Sequence, residues 1–139
     1  RSPLAEGILR NKTQNLDIYV DSAGTASYHV GNLPDSRSIE IANKNGIDLT
    51  DQRARQFSEK DFDDFDKIYA MDTNNYSNII SLARDQSDRD KVDVILNELN
   101  PKSYDSVPDP YYGAGDGFQI VYDMLDNACD AIVENYEPR

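Results

Sequence analysis

Short apolar runs of strand length alternate along this chain with segments of helical period. The runs at residues 16–20, 68–71 and 92–96 predict buried strands, and helical spacing of apolar residues predicts a helix across 76–83. One face of the longest helical segment carries Phe118, Val121, Tyr122, Leu125, Ala128, Cys129, Ile132 and Val133. Strands separated by helices are typical of βαβ units, so the pattern predicts an α/β fold with a parallel sheet. Ligands of such a sheet bind beyond the carboxyl ends of its strands.

Capping residues predict where the remaining helices begin and end. Ser2 followed by Pro3 predicts a first helix with Ser2 as its N-cap. Asp35 predicts the start of a second helix, which Gly46 would end. Ser58 begins a capping-box pattern and predicts a short third helix.

The size and cysteine content of the chain indicate a single domain in a reducing compartment. With 139 residues, the chain is long enough for one buried core, so we expect one domain over residues 1–139. No apolar run approaches the roughly 18 residues of a transmembrane helix. The single cysteine, Cys129, has no partner for an internal disulfide, which favours a cytoplasmic location. Its place on the apolar face of the last helix predicts a core thiol.

The charge of the chain excludes two classes of partner. A net charge of −12 argues against nucleic acid and against anionic membranes, because both require a basic face. It does not exclude an anionic substrate, since a small phosphate site depends on local charge and backbone amides. The acidic runs at residues 61–66 and 85–90 are expected to form solvated faces, and His29, the only histidine, a solvated loop. No spacing in the sequence predicts a metal site.

The segment around Asp109 is the strongest local signal of chemistry. Asp109 lies between Pro108 and Pro110, so neither neighbour joins a helix or a central strand and the carboxyl group sits on a stiff loop. A carboxyl group held in this way can act as a general acid. The adjacent Tyr111 and Tyr112 could line a slot for a flat aromatic group. An Asp-Pro turn with tyrosines facing solvent explains the same residues equally well.

The first three residues are the second signal. Arg1 directly precedes a predicted helix start, where unpaired amides and a partial positive charge favour an anion. A guanidinium binds two phosphate oxygens at once. By itself the segment is also explained as an ordinary helix that begins with Ser-Pro.

Further segments complete a pattern that spans nearly the whole chain. They are Arg1-Ser2-Pro3-Leu4-Ala5-Glu6-Gly7, Asp21-Ser22-Ala23-Gly24-Thr25, Tyr28-His29-Val30-Gly31, Pro34-Asp35-Xaa-Arg37, Gly46-Ile47-Asp48, Arg53-Ala54-Arg55-Gln56, Asp61-Phe62, Phe65-Asp66, Ala70-Met71-Asp72, Asn75 and Asp109-Pro110-Tyr111-Tyr112-Gly113. Their types and order resemble the low-molecular-weight protein tyrosine phosphatase family. The resemblance implies a four-stranded parallel sheet flanked by helices on both faces.

The resemblance also implies an activity and its residues. Members of that family form a phosphocysteine from a phosphomonoester, which water then hydrolyses to inorganic phosphate. By resemblance, Arg1 binds the phosphoryl group, Ser2 donates a hydrogen bond to the thiolate, and Asp109 is the general acid. The aromatic positions at the mouth of the pocket are matched by Tyr28, Tyr111 and Tyr112. The implied substrate is a phosphotyrosine-containing protein or an aryl phosphate, with no metal or other cofactor.

One part of the family pattern lies upstream of this chain. The catalytic cysteine should stand six positions before Arg1, at the end of an interior strand, so we expect the domain to be N-terminally incomplete by about 14 residues, including that first strand. Cys129 does not replace this cysteine, because Asn135, six positions later, is not an arginine.

Three other functions fit the same pattern to different degrees. Arsenate reduction on this fold needs further redox cysteines, and only Cys129 is present. Protein-arginine phosphatase activity stays open, although two neighbouring tyrosines favour an aromatic substrate. A non-catalytic phosphate-binding or interaction protein is the expectation if the upstream cysteine is truly absent.

Overall fold

Two parallel strands form the sheet of the computed structural model, which describes residues 1–25, 30–108 and 117–136. Strand β1 is Ile68–Ala70 and strand β2 is Val92–Val94, with Ile68 opposite Val92. Side chains alternate across β1: Tyr69 packs against one apolar cluster, whereas Ile68 and Ala70 pack against another. The sheet is therefore covered on both faces, as a parallel sheet requires.

Six α-helices and one 3₁₀ helix make up the rest of the regular structure described. The helices are α1 (Ser2–Lys12), α2 (Ser36–Lys44), α3 (Lys60–Asp64), α4 (Thr73–Ile80), α5 (Gln86–Asp90) and α6 (Gly117–Glu134), and the 3₁₀ helix is Ile95–Glu98. Helices α1, α2 and α6 pack together on one face of the sheet, and α4 packs on both strands from the other.

The larger core lies between α1 and α6. Leu4 and Ile8 of α1 and Leu125 of α6 are almost fully buried. Complete burial of each such side chain contributes about 1.5–3 kcal/mol to folding. This core fixes α1, and with it the residues at the start of the chain, relative to the sheet.

The predicted boundaries were confirmed for α2 but not for the starts of α1 and α3, and the N-cap of α3 is Glu59 rather than Ser58. The Asp35 carboxylate accepts the Arg37 N–H at 2.8 Å and caps α2, and Gly46 ends that helix with a φ of +77°. The prediction that Ser2 is an N-cap was wrong: the N-cap is Arg1, and Ser2 is the first helical residue. Proline fits anywhere in a first turn, where N–H groups lack helical partners, so Pro3 does not fix the start to one residue.

The prediction of an α/β fold with a parallel sheet was confirmed, but the strand at residues 16–20 was not. Residues 16–17 form a bend, and 18–20 have no regular secondary structure. In the described ranges the sheet has two strands rather than the four implied by the resemblance, plus a separate parallel bridge between Gly24 and Gln56. Residues 18–20 line a cavity, and no ladder partner is assigned to them among the described residues.

The prediction that both acidic runs are solvated was wrong for one carboxylate in each. Asp61 is 5% exposed and accepts hydrogen bonds from the Ser58 N–H at 2.9 Å and from Arg55 at 3.1 Å. Asp88 is 4% exposed and accepts from the side chain of Arg84 at 2.8 Å. Sequence composition described the charge of these runs but not the arginines that allow two of their carboxylates to be buried.

Candidate active site

Arg1 is held at the carboxyl end of β1 by groups from two distant segments. Its Nη1 donates to Asp72 Oδ2 at 2.8 Å and to the Val107 carbonyl oxygen at 2.7 Å. Its Nη2 donates to Asn75 Oδ1 at 3.3 Å. Only 20% of the Arg1 side chain is exposed. We refer to Arg1, Asp72, Asn75 and Val107 as the Arg1 cluster.

Asp72 links the Arg1 cluster to the start of α4. It follows β1 by two residues and caps α4, because its Oδ1 accepts the Asn75 N–H at 2.7 Å. Its other oxygen, Oδ2, accepts from Arg1. A single carboxylate therefore fixes a helix start and the orientation of a guanidinium.

Val107 links the cluster to the segment that leads to Asp109. Val107 is fully buried, its N–H donates to the Met71 carbonyl at 2.8 Å, and its own carbonyl accepts from Arg1. The backbone at Val107 is thus fixed beside the end of β1, two residues before Asp109.

The N-terminus of α1 lies at the same place as the guanidinium. The first turn of an α-helix presents unbonded N–H groups and a partial positive charge. Arg1 is the N-cap of α1, and Ser2 is its first residue. A helix start beside a guanidinium is suited to bind a doubly charged anion such as a phosphate.

A cavity of about 940 Å³ opens beside Arg1 and Ser2 and extends between α1 and β1. Glu6 is buried in its wall, where its carboxylate accepts from the Ser22 hydroxyl at 2.8 Å and from Arg10 at 2.7 Å. Burial raises the pKa of Glu6, because the carboxylate loses hydration that these two partners only partly replace.

Gln52 connects the same wall to the first turn of α1. Its Nε2 donates to the Pro3 carbonyl at 3.1 Å, which ties the start of α1 to the segment after α2. Its Oε1 is buried and has no hydrogen-bond partner among the described residues.

The structure brings together two of the six predicted site residues and does not describe the other four. Arg1 and Ser2 lie side by side at the cavity. Asp109, Tyr28, Tyr111 and Tyr112 fall outside the described residues, as does His29.

Cys129 is a core thiol, as predicted. It is 0% exposed, and burial raises its pKa to about 12. A thiol that stays protonated and buried is a poor nucleophile at neutral pH.

Sequence reasoning assigned no role to Asp72, Asn75 or the Val107 carbonyl. Asp72 and Asn75 belong to the family-like pattern, and Asp72 directly follows a predicted strand, at the sheet edge where ligands bind. That position could have identified Asp72 as a candidate site residue. A backbone carbonyl such as that of Val107 leaves no trace in residue types.

The described ranges contain neither a cluster of metal-ligating side chains nor a membrane-spanning helix. No three histidine, cysteine or acidic side chains come together there as metal ligands would. No helix in those ranges is long and apolar enough to cross a membrane.

The fold and the Arg1 cluster define an α/β protein whose site lies beyond the carboxyl end of a parallel strand. The sequence model of one family, low molecular weight phosphotyrosine protein phosphatase, matches residues 1–137. The Schizosaccharomyces pombe protein of that name is 42% identical over 130 residues, which are 90% of this chain and 82% of that protein. This chain therefore belongs to the low-molecular-weight phosphotyrosine protein phosphatase family, whose members are enzymes.

Solved structures agree with this assignment. A protein tyrosine phosphatase from Entamoeba histolytica, with Hepes in its active site, has a TM-score of 0.87 and 34% identity, over 96% of this chain and 87% of that one. A drosophila arginine phosphatase has a TM-score of 0.86 and 33% identity, over 99% of this chain and 91% of that one.

Proposed function

We propose that the protein hydrolyses phosphotyrosine in proteins through a cysteinyl-phosphate intermediate. Arg1 binds the phosphoryl group, and Asp109 is the general acid. The observation that carries this proposal is the Arg1 cluster, in which Asp72, Asn75 and Val107 hold the guanidinium at the N-terminus of α1.

The geometry around Arg1 supports phosphate binding in two ways. The guanidinium is fixed before a ligand arrives, so little side-chain entropy is lost on binding. It also lies beside the partial positive charge of a helix start, and the two together stabilise the charge that develops on the equatorial oxygens during transfer.

Chain connectivity supports the role of Asp109. The Val107 carbonyl accepts a hydrogen bond from Arg1, and the Val107 N–H donates one to the Met71 carbonyl. Asp109 follows Val107 by two residues. A carboxyl group at the carboxyl end of β1 can protonate the oxygen of a phenolic leaving group. Tyr28, Tyr111 and Tyr112 are the proposed contacts of the substrate ring.

The proposed reaction has two steps. In the first, a thiolate attacks phosphorus, the bond between phosphorus and the phenolic oxygen breaks, and Asp109 gives its proton to that oxygen. In the second, Asp109 takes a proton from a water molecule that attacks the phosphocysteine, which releases inorganic phosphate and the thiolate. The cysteine is the one expected six positions before Arg1, and the Ser2 hydroxyl donates to its thiolate.

The test is hydrolysis of p-nitrophenyl phosphate and of a phosphotyrosine peptide by the full-length protein, with vanadate as a competitive inhibitor. Asp109→Ala and Arg1→Ala should each lower kcat/KM by about 10²–10⁴. Arg89→Ala, which removes an exposed arginine of α5, is the matched control and should retain full activity. Full activity in both site variants would contradict the assignment.

Protein-arginine phosphatase activity is the second candidate, because the arginine phosphatase from drosophila covers nearly the whole chain at 33% identity. The two functions are separated by a matched pair of peptides that carry phosphotyrosine or phosphoarginine. We expect the phosphotyrosine peptide to have the higher kcat/KM, and the reverse order would favour the second candidate.

A further inference from the structure

A turn just before Val107 contains two residues with a positive φ, a backbone conformation that is unfavourable for residues other than glycine. Lys102 has a φ of +63° and Tyr104 a φ of +55°, and neither is a glycine. Such a conformation is uncommon for any residue with a Cβ atom and is an outlier for a bulky aromatic residue. Strained positions of this kind concentrate at functional sites, where the surrounding structure maintains them.

Hydrogen bonds through the buried Asn97 side chain anchor this turn to β2. The Tyr104 N–H donates to Asn97 Oδ1 at 2.8 Å, and Asn97 is only 8% exposed. The side-chain nitrogen of Asn97 donates in turn to Asp93 Oδ1 at 2.7 Å, and Asp93 belongs to β2. The backbone at Tyr104 is therefore fixed relative to β2.

The anchored turn displays the Tyr104 ring instead of burying it. Tyr104 is 48% exposed, and its ring meets that of Tyr76 edge to face, with 6.4 Å between centroids and 72° between planes. Tyr76 itself packs against the smaller apolar cluster, so the exposed Tyr104 ring rests on a side chain that is anchored in the core.

The two rings belong to the two segments that hold Arg1. Tyr76 directly follows Asn75, which accepts from Arg1 Nη2. Tyr104 precedes by three residues the Val107 carbonyl, which accepts from Nη1. The aromatic pair thus connects the two segments that hold Arg1, at one residue from Asn75 and three residues from Val107.

The charge beside this ring favours a cationic side chain. Asp105 directly follows Tyr104, is exposed, and its carboxylate makes no hydrogen bond or ion pair with the described residues. An exposed tyrosine face attracts ammonium and guanidinium groups, and an adjacent carboxylate adds to that attraction. The net charge of −12 also raises the local concentration of basic peptides.

We propose that Tyr104 and Asp105 form a specificity site for a lysine or arginine side chain that flanks the phosphorylated tyrosine of a protein substrate. This inference rests on the proposed function. The basic side chain stacks on the Tyr104 ring and pairs with the Asp105 carboxylate, while the phosphoryl group binds at Arg1.

The experiment compares a small substrate with peptides on the full-length protein. An arginine is scanned through three positions on each side of phosphotyrosine in an otherwise neutral peptide, and p-nitrophenyl phosphate serves as the substrate without flanking residues. At the preferred position, arginine should raise kcat/KM by about fivefold over leucine, with glutamate below leucine.

Variants then assign the preference to the ring and the carboxylate. Tyr104→Ala should reduce the preference to less than about twofold, Tyr104→Phe should retain it, and Asp105→Asn should weaken it. Glycine adopts a positive φ without strain, so Tyr104→Gly removes the ring while the turn conformation stays favourable. Loss of the preference in Tyr104→Gly as well as in Tyr104→Ala would therefore be due to the missing ring and not to a disturbed turn. Lys102→Ala changes an exposed residue of the same turn and should not lower kcat/KM for the arginine peptide. None of these variants should change kcat/KM for p-nitrophenyl phosphate.

The outcomes distinguish this inference from the proposed function. Hydrolysis of p-nitrophenyl phosphate with no preference for arginine, or with a preference that survives Tyr104→Ala, would overturn the inference alone. Failure of the unaltered protein to hydrolyse any phosphotyrosine substrate would overturn the proposed function and this inference with it.

Discussion

Arginine side chains organise two separate regions of this protein, and they find their partners at very different distances along the chain. Arg84 binds Asp88, four residues away, and Asp63, 21 residues away. Arg1 binds groups that are 71, 74 and 106 residues away. Arg84 links α5 to the end of α3, which lie close in the chain, whereas Arg1 links the start of α1 to two segments that are far away in the sequence.

The two arginines therefore have different roles: the contacts of Arg84 contribute to stability, whereas those of Arg1 position its guanidinium. The Arg84 side chain is 40% exposed and that of Asp63 61%, and ion pairs so accessible to water contribute at most about 1 kcal/mol. Arg1 and Asp72 are each 20% exposed, and their contact sets the place of a guanidinium beside a helix start. Variants at Arg84 should therefore change the free energy of unfolding, and variants at Arg1 should change catalysis.

Among changes that compare the two arginines, the largest expected effect comes from replacing Arg1 by lysine. Lysine keeps the charge but lacks the planar fork that can bind Asp72 and two phosphate oxygens at once. We expect kcat/KM for p-nitrophenyl phosphate to fall by about 10²–10³ in Arg1→Lys. Arg84→Lys is the matched change in the other region and should keep kcat/KM within about twofold while lowering Tm. Equal loss of activity in both variants would remove the distinction between the two regions.

A smaller loss is expected when the carboxylate that positions Arg1 is neutralised. Asp72→Asn retains an oxygen to cap α4 but weakens the hold on the guanidinium. A displaced guanidinium should lower kcat/KM by about tenfold. Vanadate affinity, which depends on Arg1 without any leaving group, should fall in parallel. Asp88→Asn makes the same change beside Arg84 and should leave both quantities unchanged.

The contribution of the Arg84 contacts to stability should depend on pH. Hydrogen bonds from Arg84 hold the pKa of Asp63 and of Asp88 below their usual value. Their contribution to stability is then complete above the pKa of the unfolded carboxyl, near 4, and is lost as the pH falls through the lower folded values. In urea unfolding from pH 7 to pH 2, the stability difference between the unaltered protein and Arg84→Gln should shrink below about pH 4. A difference that stays constant across this range would show that these carboxylates are not coupled to Arg84.

Local signals made most of the helices predictable. The apolar period of α6 and the Asp35 cap of α2 are properties of neighbouring residues, and the structure has both. The run at 68–71 was confirmed as β1, apart from its last residue, for the same reason. The run at 16–20 also has the composition of a strand, but a strand needs a partner, and residue types alone do not supply one.

Contacts between distant segments were not predictable from residue types. The pattern around Arg1 indicated a phosphate site, yet the partners of its guanidinium became visible only where α4 and residue 107 meet the end of β1. Asp88 shows the same limit, because its acidic neighbours predicted a solvated face and Arg84 makes its burial possible. The predicted roles of Asp109 and of the three tyrosines remain predictions, since those residues fall outside the described ranges.

The smallest expected effect is at Cys129, and it tests which cysteine does the chemistry. Cys129 is buried between α6 and α1, and its pKa is raised to about 12, so it should neither attack phosphate nor react with iodoacetamide in the folded protein. Cys129→Ala should keep kcat/KM within about twofold, with destabilisation of about 1 kcal/mol from the lost sulfur contacts. Iodoacetamide should instead inactivate the full-length protein at another cysteine, and vanadate should protect it. Inactivation that disappears in Cys129→Ala would identify Cys129 as the reactive thiol and would contradict the assignment of the nucleophile to the cysteine expected six positions before Arg1.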